Sequence, residues 1–356
     1  MDLQPVRDKI DAIDREIIAK LNERFRLAAE VARVKHEAGL PIYHPEREEM
    51  LLRKLADLNE GPLPETGMRA IYREIISAMI GLEKPVVIAY LGPEATYTEL
   101  AARKSFGSSL CYEPMPTIPD VFTAVEKMEA DYGVIPIENS TGGVVSHSID
   151  MLAETDLTII NQTYLTIEHC LISKSPLEAV TEVHSKDQAL AQCREWLARH
   201  LPHARQVDAD STAQAVKLAG EREGIAAIAG ELAAKKYDVP VVTKGIQDRS
   251  NNVTRFLILG REAIGTGTGH DRTSLMLSLN DQSGALENAL KPFSSRGINL
   301  TKIESRPSRK RAWDYLFYID IDGHWQDEAV QAAISELKET CPMVKWLGSY
   351  PVKKEA

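Results

Sequence analysis

Apolar residues Val6, Ile10, Ile13 and Ile17 recur at steps of four, three and four, and the pattern runs on towards Val34 with no proline to interrupt it. A helix of some 30 residues is ~45 Å long, and nothing beside it in the sequence offers a sheet for its stripe to cover. Gly39, Pro41 and Pro45 break the pattern. A second helix is expected over about 46–59 and, after a Gly-Pro-Leu-Pro turn, a third over about 66–83. Long, short and long helices without a sheet make a bundle that a partner chain completes, so a dimer is the simplest expectation.

The texture then changes. Between 86 and 262, short β-rich runs (VVIAYL from 86, YGVIPI from 132, VTEVH from 180, AAIA from 226) each lead into a loop and a helical stretch. That alternation predicts open α/β sheets, whose ligand crevices lie at strand C-termini, and the stretch is long enough for two lobes with a cleft. A linker rich in Gly and Thr (GTGTGH, 265–270) opens a third unit over 271–350 that reads βαββαβ, the ferredoxin-like order. The expected fold is therefore multi-domain: an all-α dimeric bundle over 1–84, a two-lobed α/β unit over 86–262 and an α+β ferredoxin-like unit over 271–350.

Composition excludes several classes. Hydrophobic residues are 44% and charged residues 26% of the 356, ordinary globular usage. With 42 basic against 52 acidic residues the net charge is −10, which argues against a protein that lives on phosphate attraction, so no nucleic-acid partner is expected. The longest apolar runs, such as Val86 to Leu91, are strand-sized, and the N-terminus carries acids where a signal peptide carries an apolar core. A cytoplasmic location without a membrane partner follows as the expectation. Cys111, Cys170, Cys193 and Cys341 form no CxxC pair, and His200 and His203 are a lone HxxH, so neither a disulfide framework nor a metal site is expected.

Two cations fall in an unusual place. Seven residues from Ile17, Arg24 is about 20° off the apolar stripe, and Lys35, eighteen residues on, is about 0° off it. Charged side chains on a seam are costly unless an anion meets them. They are about 16 Å apart along the axis, so both can converge on one small dianion between them; a structural ion pair with acids such as Glu48, or snorkelling at the helix end, would also place them. Arg7 is about 25 Å from Arg24 and roughly 100° around. It cannot join that ligand from its own helix, although an antiparallel partner could supply it.

The run VRDKIDAIDREIIAKLNERF, then VARVK and HPEREE, resembles the all-helical class of chorismate mutases. The resemblance implies chorismate binding by Arg7 (from the other protomer), Arg24, Lys35, His44, Arg47, Glu48, Met79 and Glu83. The rearrangement to prephenate is unimolecular and needs no acid, base or metal. Two carboxylates must be clamped and the charge growing on the ether oxygen stabilised, work suited to bidentate arginines and a compact lysine. Met79 stands where the family often has serine and His44 where some members have aspartate. Glu83 takes the place of a glutamine that donates to the ether oxygen. A glutamate donates only when protonated, which burial near substrate carboxylates would favour. The mutase rate is therefore expected to fall as pH rises, and Glu83→Gln to flatten that profile; an unchanged pH dependence would contradict the role.

Four polar loops follow strands in the central unit: GPEATYT (92–98), PIENSTGG (136–143), HSKDQA (184–189) and DADSTAQ (208–214). Each places hydroxyls or amides before a helix, as ordinary caps and as anion sites alike require. PIENSTGG, QALAQC and NVTRF resemble prephenate dehydratases, which implies a two-lobed fold like the periplasmic binding proteins with the site between the lobes. On that resemblance Thr254 is the essential hydroxyl, with Asn139 and Gln188 acting beside it. Glu138, Ser140, Thr141, Ser185, Ser211, Thr212, Arg255 and Phe256 are expected to line the prephenate site.

GALENAL (284–290) and IESRP (303–307) resemble the amino-acid-sensing ACT domain. That implies a phenylalanine site at a subunit interface, drawn from Gly284, Ala285, Leu286, Asn299, Glu304, Ser305, Arg306 and Pro307, and feedback inhibition by L-phenylalanine. As a whole the chain resembles the bifunctional chorismate mutase/prephenate dehydratases, homodimeric or larger, with no cofactor. A dehydrogenase fusion is set aside because its only fingerprint candidate, Gly265 to Gly269, leads into a strand. An arogenate dehydratase would use the same central chemistry on the aminated substrate. A non-catalytic ligand sensor is disfavoured by the intact Thr254, Asn139 and Gln188.

Overall fold

The computed structural model describes residues 3–38, 43–262, 265–307 and 315–352, with the side chains of His36 and Glu83 outside that description. Three helices open the chain: α1 (Gln4–Glu37), α2 (Pro45–Asp57) and α3 (Glu65–Glu83). Pro45 starts α2, where its missing N–H costs nothing, and Glu46 and Glu48 sit in the first turn, where the helix dipole favours anions. Within one chain α1 touches only α3 among the major helix contacts. Its half-buried residues, Leu21, Arg24, Phe25, Ala28, Ala32 and Lys35, lie in the C-terminal half. Val6, Ile10, Ile13 and Ile17 are exposed, each by roughly half of its surface.

The α/β unit begins with β1 (Val87–Leu91), α4 (Tyr97–Phe106), β2 (Cys111–Met115), α5 (Ile118–Glu126), β3 (Tyr132–Asn139), β4 (Gly143–Val144), α6 (Ser146–Glu154) and β5 (Thr158–Thr166). The chain then crosses into a second lobe of β6 (Cys170–Ile172), β7 (Glu182–Ser185), α7 (Asp187–Gln192), α8 (Arg194–His200), β8 (Arg205–Asp208), α9 (Thr212–Glu221), β9 (Ile225–Ala229), α10 (Glu231–Tyr237) and β10 (Val241–Lys244). It returns as β11 (Val253–Gly260), antiparallel between β3 and β5. The strand orders are β2-β1-β3-β11-β5, with β4 beside β3, and β10-β6-β9-β7-β8. Two crossings between two sheets leave a cleft bordered by the ends of β3 and β11 and by the start of α7.

The third unit is β12 (Asp271–Ser278), α11 (Ala285–Ser294), β13 (Leu300–Pro307), β14 (Tyr315–Asp322), α12 (Glu328–Thr340) and β15 (Met343–Pro351), an antiparallel sheet ordered β13-β14-β12-β15. One face carries the two helices, packed through Leu275, Leu277, Ile319, Ile321, Phe293 and Leu337. The other shares a core with the first lobe, where Met276, Tyr318, Leu347 and Tyr350 meet Ile135, Ile137, Leu257 and Leu259. The backbones approach so closely that a Cβ at Gly348 would lie 2.0 Å from the Ile159 carbonyl oxygen, which only glycine permits. The helical unit is tied in as well. Tyr43 is buried against Phe106 and Tyr132, and its hydroxyl accepts from Asn161 Nδ2 at 2.7 Å.

Candidate active sites

The seam cations of α1 meet across a cavity of about 360 Å³ walled by all three helices. Arg24 and Lys35 come from α1, His44, Arg47 and Glu48 from the start of α2, and Met79 from α3. Leu27, Val31, Leu51, Ile76 and Ile80 make the remaining wall apolar. Arg24 donates to the Met79 sulfur and lies 6.0 Å from the centre of the Tyr72 ring. His44 Nδ1 is 3.0 Å from Glu46 Oε1. So six of the eight residues expected here are brought together. Arg7 is exposed and remote on the bare half of α1, while Glu83 closes α3 with its side chain outside the described residues. Three cations around a largely apolar pocket suit a small organic dianion, whose charges they neutralise without solvent.

The cleft of the α/β unit holds a ring of side chains whose hydrogen bonds all run one way. Gln192 Nε2 donates to Thr141 Oγ1 at 2.7 Å, and Thr141 Oγ1 donates to Asn139 Oδ1 at 2.7 Å. Asn139 Nδ2 donates to Asn252 Oδ1 at 2.7 Å, and Asn252 Nδ2 closes the ring on Gln192 Oε1 at 3.0 Å. The backbone amides of Thr141 and Gly142 also donate to Asn139 Oδ1, which fixes that amide's orientation. The remaining Asn139 hydrogen points at Thr254 Oγ1, 2.8 Å away. Thr254 therefore receives a hydrogen bond from within the protein, and its own proton is left to donate into the cleft. Gln188 closes over the same spot, since a Cβ at Gly142 would stand 2.1 Å from its amide nitrogen.

The motifs passed over part of this ring. Gln192 and Asn252 lie inside the quoted strings QALAQC and NVTRF but had no assigned role. Gln192 is anchored in turn by His169, whose Nε2 lies 2.8 Å from Gln192 Oε1 and whose Nδ1 is 3.0 Å from the Tyr97 hydroxyl. Burial holds the His169 ring's pKa below the ordinary histidine range, against a smaller upward pull from Gln192.

Other expected lining residues do different work. Ser140 pins the returning segment, donating to the Asn251 carbonyl at 2.8 Å and accepting from the Val253 amide at 2.9 Å. Ser185 is buried and donates to the Ile228 carbonyl. Ser211 caps α9, accepting from the Gln214 amide, and Thr212 is that helix's first residue. Phe256 is buried in the core beneath α4. Glu138 and Arg255 do not line the cleft. They alternate with Asn139 and Thr254 along β3 and β11, so the two-residue period turns them to the opposite face. There Arg255 meets Asp320 at 2.6 Å and Tyr350 at 2.9 Å, and Glu138 meets Lys302.

In the third unit, Gly284 adopts a left-handed conformation before α11, with Ala285 and Leu286 in its first turn. Asn299 donates to Asp322 at 3.0 Å. Glu304, Ser305, Arg306 and Pro307 end the edge strand β13. Arg306 is held by Asp150 of α6 at 3.2 Å, beside a cavity of about 390 Å³ lined also by His147, Met276, Leu316 and Met343. It faces the first lobe rather than the 284–286 turn.

Two separate sites on differently folded parts of one chain, with a third unit locked onto the second, define a multifunctional enzyme. Comparisons with known proteins agree part by part. Family models described as Chorismate mutase type II, Prephenate dehydratase and ACT domain match residues 6–84, 88–264 and 273–339. The bifunctional chorismate mutase/prephenate dehydratase of Aquifex aeolicus is 45% identical over 355 residues, covering 98% of each chain. That of Neisseria gonorrhoeae is 43% identical over 353 residues, covering 98% of this chain and 97% of its own. The crystal structure of prephenate dehydratase from Arthrobacter aurescens in complex with L-Phe is 33% identical, with a TM-score of 0.71 over 76% of this chain and 92% of that one. The chain belongs to the family of bifunctional chorismate mutase/prephenate dehydratases, with a mutase region, a dehydratase region and an ACT domain. No helix among the described residues is long and apolar enough to cross a membrane.

Proposed function

We propose that the helical cavity rearranges chorismate to prephenate and that the cleft converts prephenate to phenylpyruvate. In the cavity Arg24, Lys35 and Arg47 clamp the two carboxylates so that the enolpyruvyl arm folds over the ring, and Lys35 donates to the ether oxygen as charge grows there. Arg7 is contributed by the partner of a homodimer, in which the bare stripe of α1 is covered. In the cleft, the bond between the ring and its carboxylate breaks, its electron pair flows through the ring, and the ring hydroxyl departs. CO₂ leaves, and the hydroxyl takes one proton from solvent and leaves as water. Aromatisation drives the step, so the protein's work is to hold the carboxylates and stabilise the departing oxygen. The observation that carries this reading is the direction of the Asn139 to Thr254 hydrogen bond, which leaves the Thr254 hydroxyl as a donor. Threonine is too weak an acid to surrender its proton fully, so it acts by hydrogen-bond donation.

L-phenylalanine inhibits through the ACT domain, bound between the 284–286 turn of one subunit and the 304–307 strand end of another. The edge position of β13, whose outer side pairs with no strand among the described residues, supports that placement. Inhibition requires phenylalanine to bind the less active conformation more tightly. The whole is read as a cytoplasmic enzyme. Purified protein given chorismate alone is expected to consume it and release phenylpyruvate, and added L-phenylalanine to suppress that release. Accumulation of prephenate without phenylpyruvate would overturn the dehydratase half, and persistence of chorismate the mutase half.

A further inference from the structure

We propose that Asp320, a residue of the ACT domain, is a positioning residue for the dehydratase reaction. It acts through Arg255, which shares strand β11 with Thr254. The proposal rests on reading Thr254 and Asn139 as the reacting pair.

The argument begins with register. Thr254 pairs across the sheet with Asn139, and Arg255 pairs with Glu138 on the adjacent rung. Whatever fixes the Arg255–Glu138 rung on the rear of the sheet therefore fixes the backbone of the Thr254–Asn139 rung at the front. The register with β3 shifts between Arg255 and Phe256, while the pairing with β5 stays in step from Val253 to Ile258, so the side of the rung that faces Asn139 is the one regular pairing constrains less. The rear rung is gripped from another domain. Arg255 Nη1 donates to Asp320 Oδ2 at 2.6 Å and to Glu138 Oε1 at 3.0 Å, and Nη2 donates to the Tyr350 hydroxyl at 2.9 Å. Lys302 donates to the second Glu138 oxygen.

The charges close only across the domain boundary. Among the hydrogen-bonded groups Arg255 and Lys302 face Glu138 and Asp320, and one of each sign, Lys302 and Asp320, belongs to the ACT domain, while the Arg272 guanidinium of β12 lies near enough to repel Arg255 and attract Asp320. Arg255 is 2% exposed and Asp320 0%, so solvent does not screen the pair, and a buried guanidinium that loses its carboxylate must move or draw in water. Burial pushes the Glu138 carboxyl's pKa up, but its bonds to Lys302 and Arg255 outweigh that and hold it below the usual carboxylate range. Asp320 is itself anchored by its own sheet, accepting from Ser274 Oγ at 2.5 Å, and Ser274 is also 2.5 Å from the Tyr350 hydroxyl. Strands β12, β14 and β15 thus converge on one anion that holds the strand carrying Thr254.

The test uses the full-length enzyme, in which the mutase rate of the same sample counts native molecules. Asp320→Asn is expected to lower the ratio of dehydratase kcat to mutase kcat about 10-fold or more, since small misplacements of a reacting group are costly. KM for prephenate should change less than about threefold, because the substrate-facing side chains remain. Removing both charges, in Asp320→Asn with Arg255→Met, should cost less than the product of the two single losses. An unchanged ratio in Asp320→Asn, or multiplicative losses in the double variant, overturns the proposal. Should Asp320→Asn lose both activities through misfolding, Lys302→Met decides. It sits at the more accessible rim of the network, and a fall in the ratio of about threefold supports the proposal while no change overturns it. Thr254→Val is run alongside. Retained dehydratase activity there would sink the assignment of the reacting pair, whereas its loss beside a normal Asp320→Asn would sink only the positioning role.

Discussion

Thr254→Val should lower dehydratase kcat by about 10²–10³-fold, the usual cost of removing one donor aimed at developing charge, while leaving the mutase rate of the same chain untouched. Valine keeps the shape of threonine and removes the hydroxyl. It also strands one Asn139 amide hydrogen, which costs roughly 1–3 kcal/mol of stability, so the melting temperature must be followed beside the rate. Thr254→Ser restores the hydroxyl with more rotamer freedom and should stay within about 10-fold of the parent, because the Asn139 amide still orients the oxygen. Equal losses in the two variants would remove the donor role. Steady-state kinetics on prephenate, with chorismate turnover as the internal control, is the measurement.

The second large effect belongs to the helical cavity. Arg24→Ala should reduce mutase kcat/KM on the order of 10²–10³-fold, since a charge-assisted clamp in a largely apolar site is lost, with dehydratase activity on supplied prephenate retained. Arg7→Ala should do the same if the N-terminal half of α1 reaches the partner's cavity. Mixing the two inactive variants then gives an informative result. In a mixed dimer one cavity has both arginines and the other neither, so random exchange restores about a quarter of the parental activity, as two-fold symmetry requires. No recovery after exchange would place Arg7 outside the site.

How far the molecule was legible in its sequence depends on which periodicity carries the information. The seam of α1 could be read because a helix repeats every 3.6 residues, and a cation falling on an apolar row stands out; Arg24 and Lys35 do line one cavity. The alternation of strand and helix likewise showed three units and the ferredoxin-like order. The cleft was harder. IEN and TRF are contiguous strings, and a string suggests a single site, but in a strand successive side chains part to opposite faces. Half of those residues accordingly serve the ACT interface. Gln192, Asn252 and His169 escaped because their hydrogen bonds depend on how the chain brings distant segments together, and partners from 23 to 113 positions apart leave no local pattern. Arg306 shows the same limit. The resemblance assigns it to an effector, whereas its salt bridge to Asp150 is visible only once two domains have docked.

The Tyr43–Asn161 bond carries a consequence for rebuilding the chain. Tyr43 is at once a wall of the mutase cavity and a buried neighbour of the dehydratase sheet. A freestanding mutase ending at α3 would present that ring to water, and a freestanding dehydratase beginning at β1 would leave the Asn161 amide without its acceptor. The two parts thus share one buried polar contact. Exchanging the front of this chain for that of a homologue would keep the contact only where the incoming segment also brings a hydroxyl to the Asn161 amide, which makes that pair the place to match in building a chimaera.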